Sequence, residues 1–546
     1  MKNNGPLQLM FLGTGSDVGK SILVAGFCRI LRRAGYRVVP FKAQNMALNS
    51  SVTMDGKEMG QAQVMQAMAA GIPPEADMNP VLLKPTGDSN SQVILQGKLL
   101  KTESAKGYYT LKELLLPRVI ESYERLIRRF DAIVLEGAGS TVEMNLKDRD
   151  FVNIEMAMCV HAPVVLVADI DRGGVFGAII GTMKLLTYRE KRLILGFIIN
   201  KFRGDPSLFQ DGIKFIEKKT RRRVFGVLPY FDDIHLPEED SVALHQGRKG
   251  KVEDGKCVRV SIVHLPYISN YTDFDPLELE EGVSLRYVRS PDDLEKSDAI
   301  ILPGTKNTVA DLLWLKERGF ERELRRHVER GKTLIGICGG YQMLGNQIED
   351  PDGVETIYRK TRGLGFLNVR TTLQNEKTLK RVRGVCLLNS IKGIDGEEIE
   401  VEGYEIHMGV TLRAPGVRPS FMLKNIHESL EFPGEVERKH YPEPEPLKKD
   451  QYCETGLPEG VNYHEDGATT PDEKVWGTYI HGIFENDVFR YQVLSSLGRG
   501  KEKALVYRSY LDSQFDRLAD LVEKHIDVRS IIKMAEKFRC RRSGLF

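Results

Sequence analysis

A thiol set between glycines carries the most specific chemistry in this sequence. Cys338 stands in Gly336-Ile337-Cys338-Gly339-Gly340, after a short apolar run and before YQMLG, so a strand should turn sharply into a helix at the sulfur. Small flanking residues permit such a turn, and a helix N-terminus favours the thiolate, the nucleophilic form. Cys28, Cys159, Cys257, Cys386, Cys453 and Cys540 lack a glycine elbow and read as packing or surface thiols. A thiol nucleophile needs a base from elsewhere in the chain. Of 11 histidines, His481 is the first choice, because it follows the apolar run Val475 to Ile480 and precedes Gly482; His407, in GYEIHMG, is the second. Acyl chemistry also needs donors for an oxyanion. The amides of Gly304 and Thr305, which end AIILPG, and of Gly339 are expected to supply them.

A second centre lies near the N-terminus, in Gly13-Thr14-Gly15-Ser16-Asp17-Val18-Gly19-Lys20-Ser21. It follows an apolar run and opens the amphipathic stretch ILVAGFCRILRRAG, giving strand, glycine loop and helix. Such a loop turns backbone N–H groups onto phosphates, the lysine reaches the terminal phosphates and the serine can ligate Mg²⁺. The ligand class is ATP or GTP. The spacing departs from the common phosphate loop, since Thr14 stands where the first glycine is expected and Gly13 sits one place earlier. Glu136 ends the apolar run DAIVLE and should project at the carboxyl edge of a sheet, where ligands of open α/β folds bind. Ser21, Asp17 and Glu136 are the candidate Mg²⁺ ligands. Asp169 and Asp171 are weaker candidates for substrate or metal, and Asn200 with Lys201 for a purine contact.

Two sets of alternating strands and helices must position these groups. Strands are predicted over residues 7–12, 38–41, 132–136, 164–169, 193–200 and 224–228, then over 258–263, 285–288, 299–302, 334–337 and 475–480. The run KEMGQAQVMQAMAA (57–70) reads as a helix. The fold class is α/β: two doubly wound, mostly parallel sheets in series, the first nucleotide-binding and the second flavodoxin-like. The boundaries are a nucleotide domain over 1–245, a linker over 246–256, a second domain over 257–495 and a helical tail over 496–546. The tail is expected to pack on the second domain. A proline- and glutamate-rich stretch, about 416–474, reads as a solvated insertion without chemistry.

The 546 residues require more than one core. Lys+Arg 78 against Asp+Glu 76 leaves a net +2, which gives no bulk field for nucleic acid or an anionic membrane. No apolar run is long enough to span a bilayer, and sparse cysteines without CxxC spacing fit reduced thiols, so a cytoplasmic location is expected.

GICGGYQMLG with the downstream YIHGIF resembles the class I glutamine amidotransferase domain, in its cobyric and cobyrinic acid synthase branch. GTGSDVGKS and LEGAGS resemble the dethiobiotin synthetase-like ATPase fold. FKAQNMALNS, GQAQVMQAMAAG, MNPVLLKP and GYEIHMG add a resemblance to the cobyric acid synthase family, from about residue 7 to the end. The resemblance implies ATP- and glutamine-dependent amidation of the b, d, e and g carboxylates of adenosylcobyrinic acid a,c-diamide, with no tightly bound prosthetic group. It further implies a glutamyl thioester on Cys338, proton shuttling by His481, and an acyl phosphate on the corrinoid. Many amidotransferases of this class carry a Glu two residues after the histidine, whereas position 483 is Ile. Glu485 and Glu405 do not match that spacing, and a Cys–His dyad is the working expectation. The competing readings are a cobyrinic acid a,c-diamide synthase, a partitioning or scaffold ATPase, and a regulatory, non-catalytic glutaminase domain.

Overall fold

The computed structural model describes residues 5–86, 90–237, 257–393, 396–426, 463–500 and 504–542. These fall into two compact units: the first lies within 1–53, 57–246 and 505–546, the second within 54–56 and 247–504. Among the described residues, no helix is long and apolar enough to cross a membrane.

The first unit is built on a six-stranded parallel sheet in the order Arg223–Pro229, Ile194–Phe202, Val164–Asp169, Leu7–Gly13, Ala132–Glu136, Val38–Phe41. Its central strands are near-continuous Val, Ile and Leu because helices cover both faces and leave no wet side. Met10, Leu12, Ile133, Leu135, Val164 and Leu166 form the middle of the core. Parallel registration brings Gly13, Glu136, Asp169 and Asn200 to the same carboxyl edge, with Asp169 paired directly to Asn200. The predicted helix over 57–70 is shorter than expected. Glu58–Gly60 is a strand paired with Ser50–Val52, and the helix runs Gln61–Ala70, closed by Gly71 in the left-handed conformation. A four-stranded sheet absent from the sequence reading follows the order Gln44–Met46, Val81–Pro85, Asn90–Leu95, Lys98–Ser104.

The tail corrects another expectation, because it packs on the first unit and not on the second. Its helices Tyr507–His525 and Val528–Arg542 lie against the helix Lys20–Arg33 and the strands Leu7–Gly13 and Arg223–Pro229. Arg29 makes two bonds to Asp516, at 2.7 and 2.9 Å, and one to Asp512 at 3.2 Å; Arg33 bonds Asp520 at 2.6 Å. The acids recur every four residues, which puts them on one helix face.

The second unit has a six-stranded sheet ordered Val283–Val288, Val258–Val263, Ala299–Leu302, Thr333–Ile337, Val475–Thr478, Ala468–Thr469, parallel except at the last pair. A second, mostly antiparallel sheet is organised by the long strands Val369–Cys386 and Glu400–Arg413. The run predicted as one strand over 475–480 is divided. Val475–Thr478 belongs to the first sheet, and Ile480–His481 crosses to pair with Tyr404 and Glu405 in the other. The ends of the expected insertion are also structured: Phe421–Asn425 pairs with Tyr463–Asp466, and Phe421 and Leu423 are buried. Residues 427–462, like the predicted linker over 246–256, lie outside the described residues.

Candidate active sites

Cys338 follows the central strand Thr333–Ile337 and precedes the helix Gly339–Leu344, with φ 51° and ψ −107°. A non-glycine residue held there is strained. Its neighbours explain how the strain is held. A methyl group at Gly340 would lie 2.0 Å from the Leu302 carbonyl oxygen, and one at Gly339 would lie 2.6 Å from Thr305 Cγ2. Backbone therefore packs on backbone between the elbow and the end of the Ala299–Leu302 strand. The sulfur donates to the Ile406 carbonyl at 3.7 Å and hydrogen-bonds the imidazole of His481.

His481 is fully buried, and its Nδ1 lies 2.6 Å from Oδ2 of Asp273. Oδ1 of the same carboxylate accepts the Gly482 N–H at 2.9 Å. With Nδ1 engaged, Nε2 is the nitrogen left for the sulfur. Burial alone would lower the imidazole pKa. The Asp273 carboxylate, then Cys338 and the hydrogen bonds to both, outweigh burial and push it up to about 10. The arrangement favours the protonated form of His481. Asp273 thus occupies the third position that the sequence reading left as a dyad. Glu405 instead engages His464 at 3.4 Å and lies 3.8 Å from His407, and Glu485 is exposed at the end of the turn Ile483–Glu485.

His407, the alternative base, is turned away from the sulfur. Its Nδ1 lies 2.7 Å from the Gly409 carbonyl and its ring stacks on Tyr479 at 3.8 Å. The segment GYEIHMG reaches Cys338 through the Ile406 carbonyl. Gly304 and Thr305 are placed beside the pair: a methyl at Gly304 would lie 2.9 Å from His481 Cε1, and one at Gly339 3.2 Å from the Thr305 nitrogen. Gly339 opens its helix, so no carbonyl within the helix lies four residues back to accept its N–H. Nucleophile, base, orienting acid and amide donors are the parts required to cleave a carboxamide.

In the first unit the loop from Gly13 to Ser21 wraps Lys20, whose Nζ donates to the Gly15 and Gly139 carbonyls at 3.1 and 3.0 Å. Gly13 is required one place early because a methyl there would come within 2.8 Å of Lys20 Nζ, Gly15 O and Val18 Cγ2. Thr14 is anchored by its N–H to the Val167 carbonyl at 2.9 Å, and Gly19 turns at φ 91° into the helix. Ser21 Oγ donates to Glu136 Oε1 at 2.8 Å, Lys42 Nζ reaches the same oxygen at 2.9 Å, and Gln66 Nε2 holds Oε2 at 2.5 Å. Burial would raise the Glu136 carboxyl; Lys42, with the bonds from Lys42, Gln66 and Ser21, outweighs it and holds the carboxyl below its ordinary value.

Ser21 and Glu136 therefore present adjacent hard oxygen donors, which suit a Mg²⁺ ion that completes its shell with phosphate and water. Asp17 is not brought to them. Its carboxylate pairs with Arg172 at 3.2 Å, and its carbonyl accepts from Lys201. Asp169 pairs with Lys201 at 3.0 Å and Asp171 with Arg203 at 2.7 Å. Asn200 braces the loop, donating from Nδ2 to the Val18 carbonyl at 2.8 Å. Among the described residues no group of three or more His, Cys, Asp or Glu side chains is placed to hold a metal ion.

Comparison with known proteins finds a match for each of the two units. Residues 9–243 match the family model described as a CobQ/CobB/MinD/ParA nucleotide binding domain, and residues 259–489 match the CobB/CobQ-like glutamine amidotransferase domain. Along nearly the whole chain, the protein is 46% identical to the cobyric acid synthase of Syntrophobacter fumaroxidans, covering 96% of this chain and 97% of that one. It is 44% identical to those of Moorella thermoacetica, covering 95% of each chain, and Klebsiella pneumoniae, covering 96% and 97%. The chain belongs to the cobyric acid synthase family. As a cobyric acid synthase family member it is a glutamine-dependent amidotransferase of the ligase type, with a nucleotide-binding unit and an amidotransferase unit. What the sequence reading of this family member missed is Asp273, which no local spacing connects to His481. Lys42 and Gln66 stand within the family-like segments FKAQNMALNS and GQAQVMQAMAAG, and that membership was the available signal.

Proposed function

We propose that the protein amidates the b, d, e and g carboxylates of adenosylcobyrinic acid a,c-diamide, using ATP and L-glutamine, and releases adenosylcobyric acid. The observation that carries this reading is the convergence of Cys338, His481 and Asp273 beside Gly304 and Thr305 in a chain similar to cobyric acid synthases along its length.

The Cys338 thiolate attacks the carboxamide carbon of glutamine. The amides of Gly304, Thr305 and Gly339 stabilise the tetrahedral oxyanion, and the His481 imidazolium gives its proton to the departing nitrogen. Ammonia leaves, and the glutamyl thioester remains on sulfur. His481, now neutral, takes a proton from the water that hydrolyses the thioester and releases glutamate. Asp273 keeps the imidazole in one tautomer and orientation throughout.

In the nucleotide unit the amides of Gly13–Ser21 and Lys20 hold the triphosphate of ATP. Mg²⁺, held through Ser21 and Glu136, neutralises phosphate charge when bound. A corrinoid carboxylate oxygen attacks the terminal phosphorus, ADP leaves, and ammonia displaces phosphate from the resulting acyl phosphate. Activation is needed because oxide is a poor leaving group. The need for ATP and for a free thiol at Cys338 favours a cytoplasmic setting.

The test supplies purified protein with ATP, Mg²⁺ and glutamine, and either cobyrinic acid or its a,c-diamide. Four amidations of the a,c-diamide support the reading, whereas amidation of only the a and c acids of cobyrinic acid overturns it. Cys338→Ala should lose glutamine-dependent turnover and recover it with ammonium salts, since only the nitrogen source has been removed.

A further inference from the structure

Asp311 is wholly buried in the first turn of the helix Thr308–Glu317, yet it does not cap that helix. Asn307 Oδ1 already takes the Ala310 N–H at 3.0 Å, and Glu355 takes those of Thr308 and Val309 at 2.7 and 3.3 Å. The Asp311 carboxylate turns out of the helix toward two loops. Its oxygens accept the Tyr267 N–H at 3.2 and 3.3 Å, and Oδ2 accepts the Thr305 hydroxyl. The same two loops are laced by backbone: Lys306 N–H to the Tyr267 carbonyl and Ser269 N–H to the Gly304 carbonyl, both at 2.9 Å. Thr305 Oγ1 also takes the Asn307 N–H at 3.1 Å. One buried carboxylate thus joins the loop carrying Gly304 and Thr305 to the loop leading to Asp273. Burying a carboxylate is costly, and here its bonds go to a catalytic loop.

We infer that Asp311 is a positioning residue for glutamine hydrolysis, fixing the Gly304–Thr305 peptide so that its amides face the oxyanion formed at Cys338. Oxyanion donors act within a few tenths of an ångström, and losing one costs about 10²–10³ in kcat. Gly304, Thr305 and Gly339 contact the reacting atoms, whereas Asp311 acts through Thr305. The inference rests on reading the Cys338 site as the glutaminase centre.

The experiment uses the full chain and compares Asp311→Ala, Asp311→Asn and Thr305→Val with the wild type. The kcat for glutamine hydrolysis should fall about a hundredfold in Asp311→Ala, with the glutamine KM changed less than about threefold. Asp311→Asn keeps one acceptor oxygen for Tyr267 and should recover about tenfold of that loss. Alkylation of Cys338 by iodoacetamide, which needs no oxyanion donor, and ammonia-dependent amidation should stay within about twofold of wild type. Thr305→Val should lower kcat, and adding it to Asp311→Asn should cost less than the product of the two single effects, because both cut one link. That pair decides the matter if Asp311→Ala does not fold. An unchanged kcat, a loss confined to KM, or alkylation falling in parallel with kcat overturns the inference. If the wild type itself hydrolyses no more glutamine than Cys338→Ala, the glutaminase reading fails first, and the positioning role with it.

Discussion

His481 Nδ1 and Asp273 Oδ2 lie 2.6 Å apart, although 208 residues separate them in the chain. The carboxylate fixes the ring through one oxygen and the following peptide through the other, so side chain and backbone share one anchor. Where Ile483 leaves no acid two residues after the histidine, the fold brings one from the turn Tyr271–Phe274, entered through Asn270 in the left-handed conformation.

Asp273→Asn should therefore impair glutamine hydrolysis, with kcat lowered about 10²–10⁴-fold through a misoriented or wrongly protonated imidazole. Ammonia-dependent amidation should be spared. Steady-state assays with the two nitrogen sources check this, and equal losses in both would count against the assignment.

Stability should also depend on pH through this pair. In the folded state the His481 pKa is raised to about 10 from an ordinary 6.5, because Asp273 and Cys338 outweigh burial. The folded protein binds the proton more tightly, so the stabilisation is fully present below about pH 6.5 and is lost as pH rises toward about 10. Urea unfolding of the second unit should show stability falling across that window. In Asp273→Asn the contribution to the slope should flatten or invert, since burial then dominates; an unaltered slope would refute the coupling.

Gln66 donates to Glu136 Oε2 at 2.5 Å and should keep that carboxylate aimed for the ion held with Ser21. Gln66→Leu should raise the Mg²⁺ requirement of ATP-dependent turnover by about 10–100-fold and leave glutamine hydrolysis intact. Mn²⁺ binding with a non-hydrolysable ATP analogue supplies a readout independent of turnover. Unchanged affinity would assign Gln66 to packing alone.

Removing residues 505–546 should abolish ATP-dependent amidation while sparing glutamine hydrolysis, because this segment packs on the helix that begins at Lys20. Arg29→Ala is the milder test. Its side chain is 10% exposed while Asp512 and Asp516 are 53% and 41% exposed, so the expected loss is about 1–2 kcal/mol in unfolding of the first unit. No measurable loss would show the ion pairs to be incidental.

The elbow at Cys338 was legible because glycine is demanded on either side of a sharp turn, and that demand is written within five residues. The parallel strands were legible for a similar reason: Val38–Phe41, Ala132–Glu136, Val164–Asp169, Val258–Val263 and Ala299–Leu302 occur where apolar runs predicted them. Asp273 was not, because NYTDFDPLELEEG offers several acids and only the tertiary fold selects one. The tail was misplaced because its apolar face, Leu511, Phe515, Leu518 and Val522, states only that a core is needed. The acids at 512, 516 and 520 matching Arg29 and Arg33 identify which core it is. The long hairpin of Val369–Cys386 and Glu400–Arg413 was missed because its polar, half-exposed strands lack the continuous apolar signal of the parallel ones.

The helices within residues 505–542 complete a unit whose described strands lie before residue 230. During synthesis the amidotransferase segment therefore emerges from the ribosome while the nucleotide-binding half still lacks its final layer, with the Gly26 side of its first helix waiting for Leu518 and Val522. Asp273, Cys338 and His481 are thus all synthesised before the layer that completes the nucleotide-binding unit.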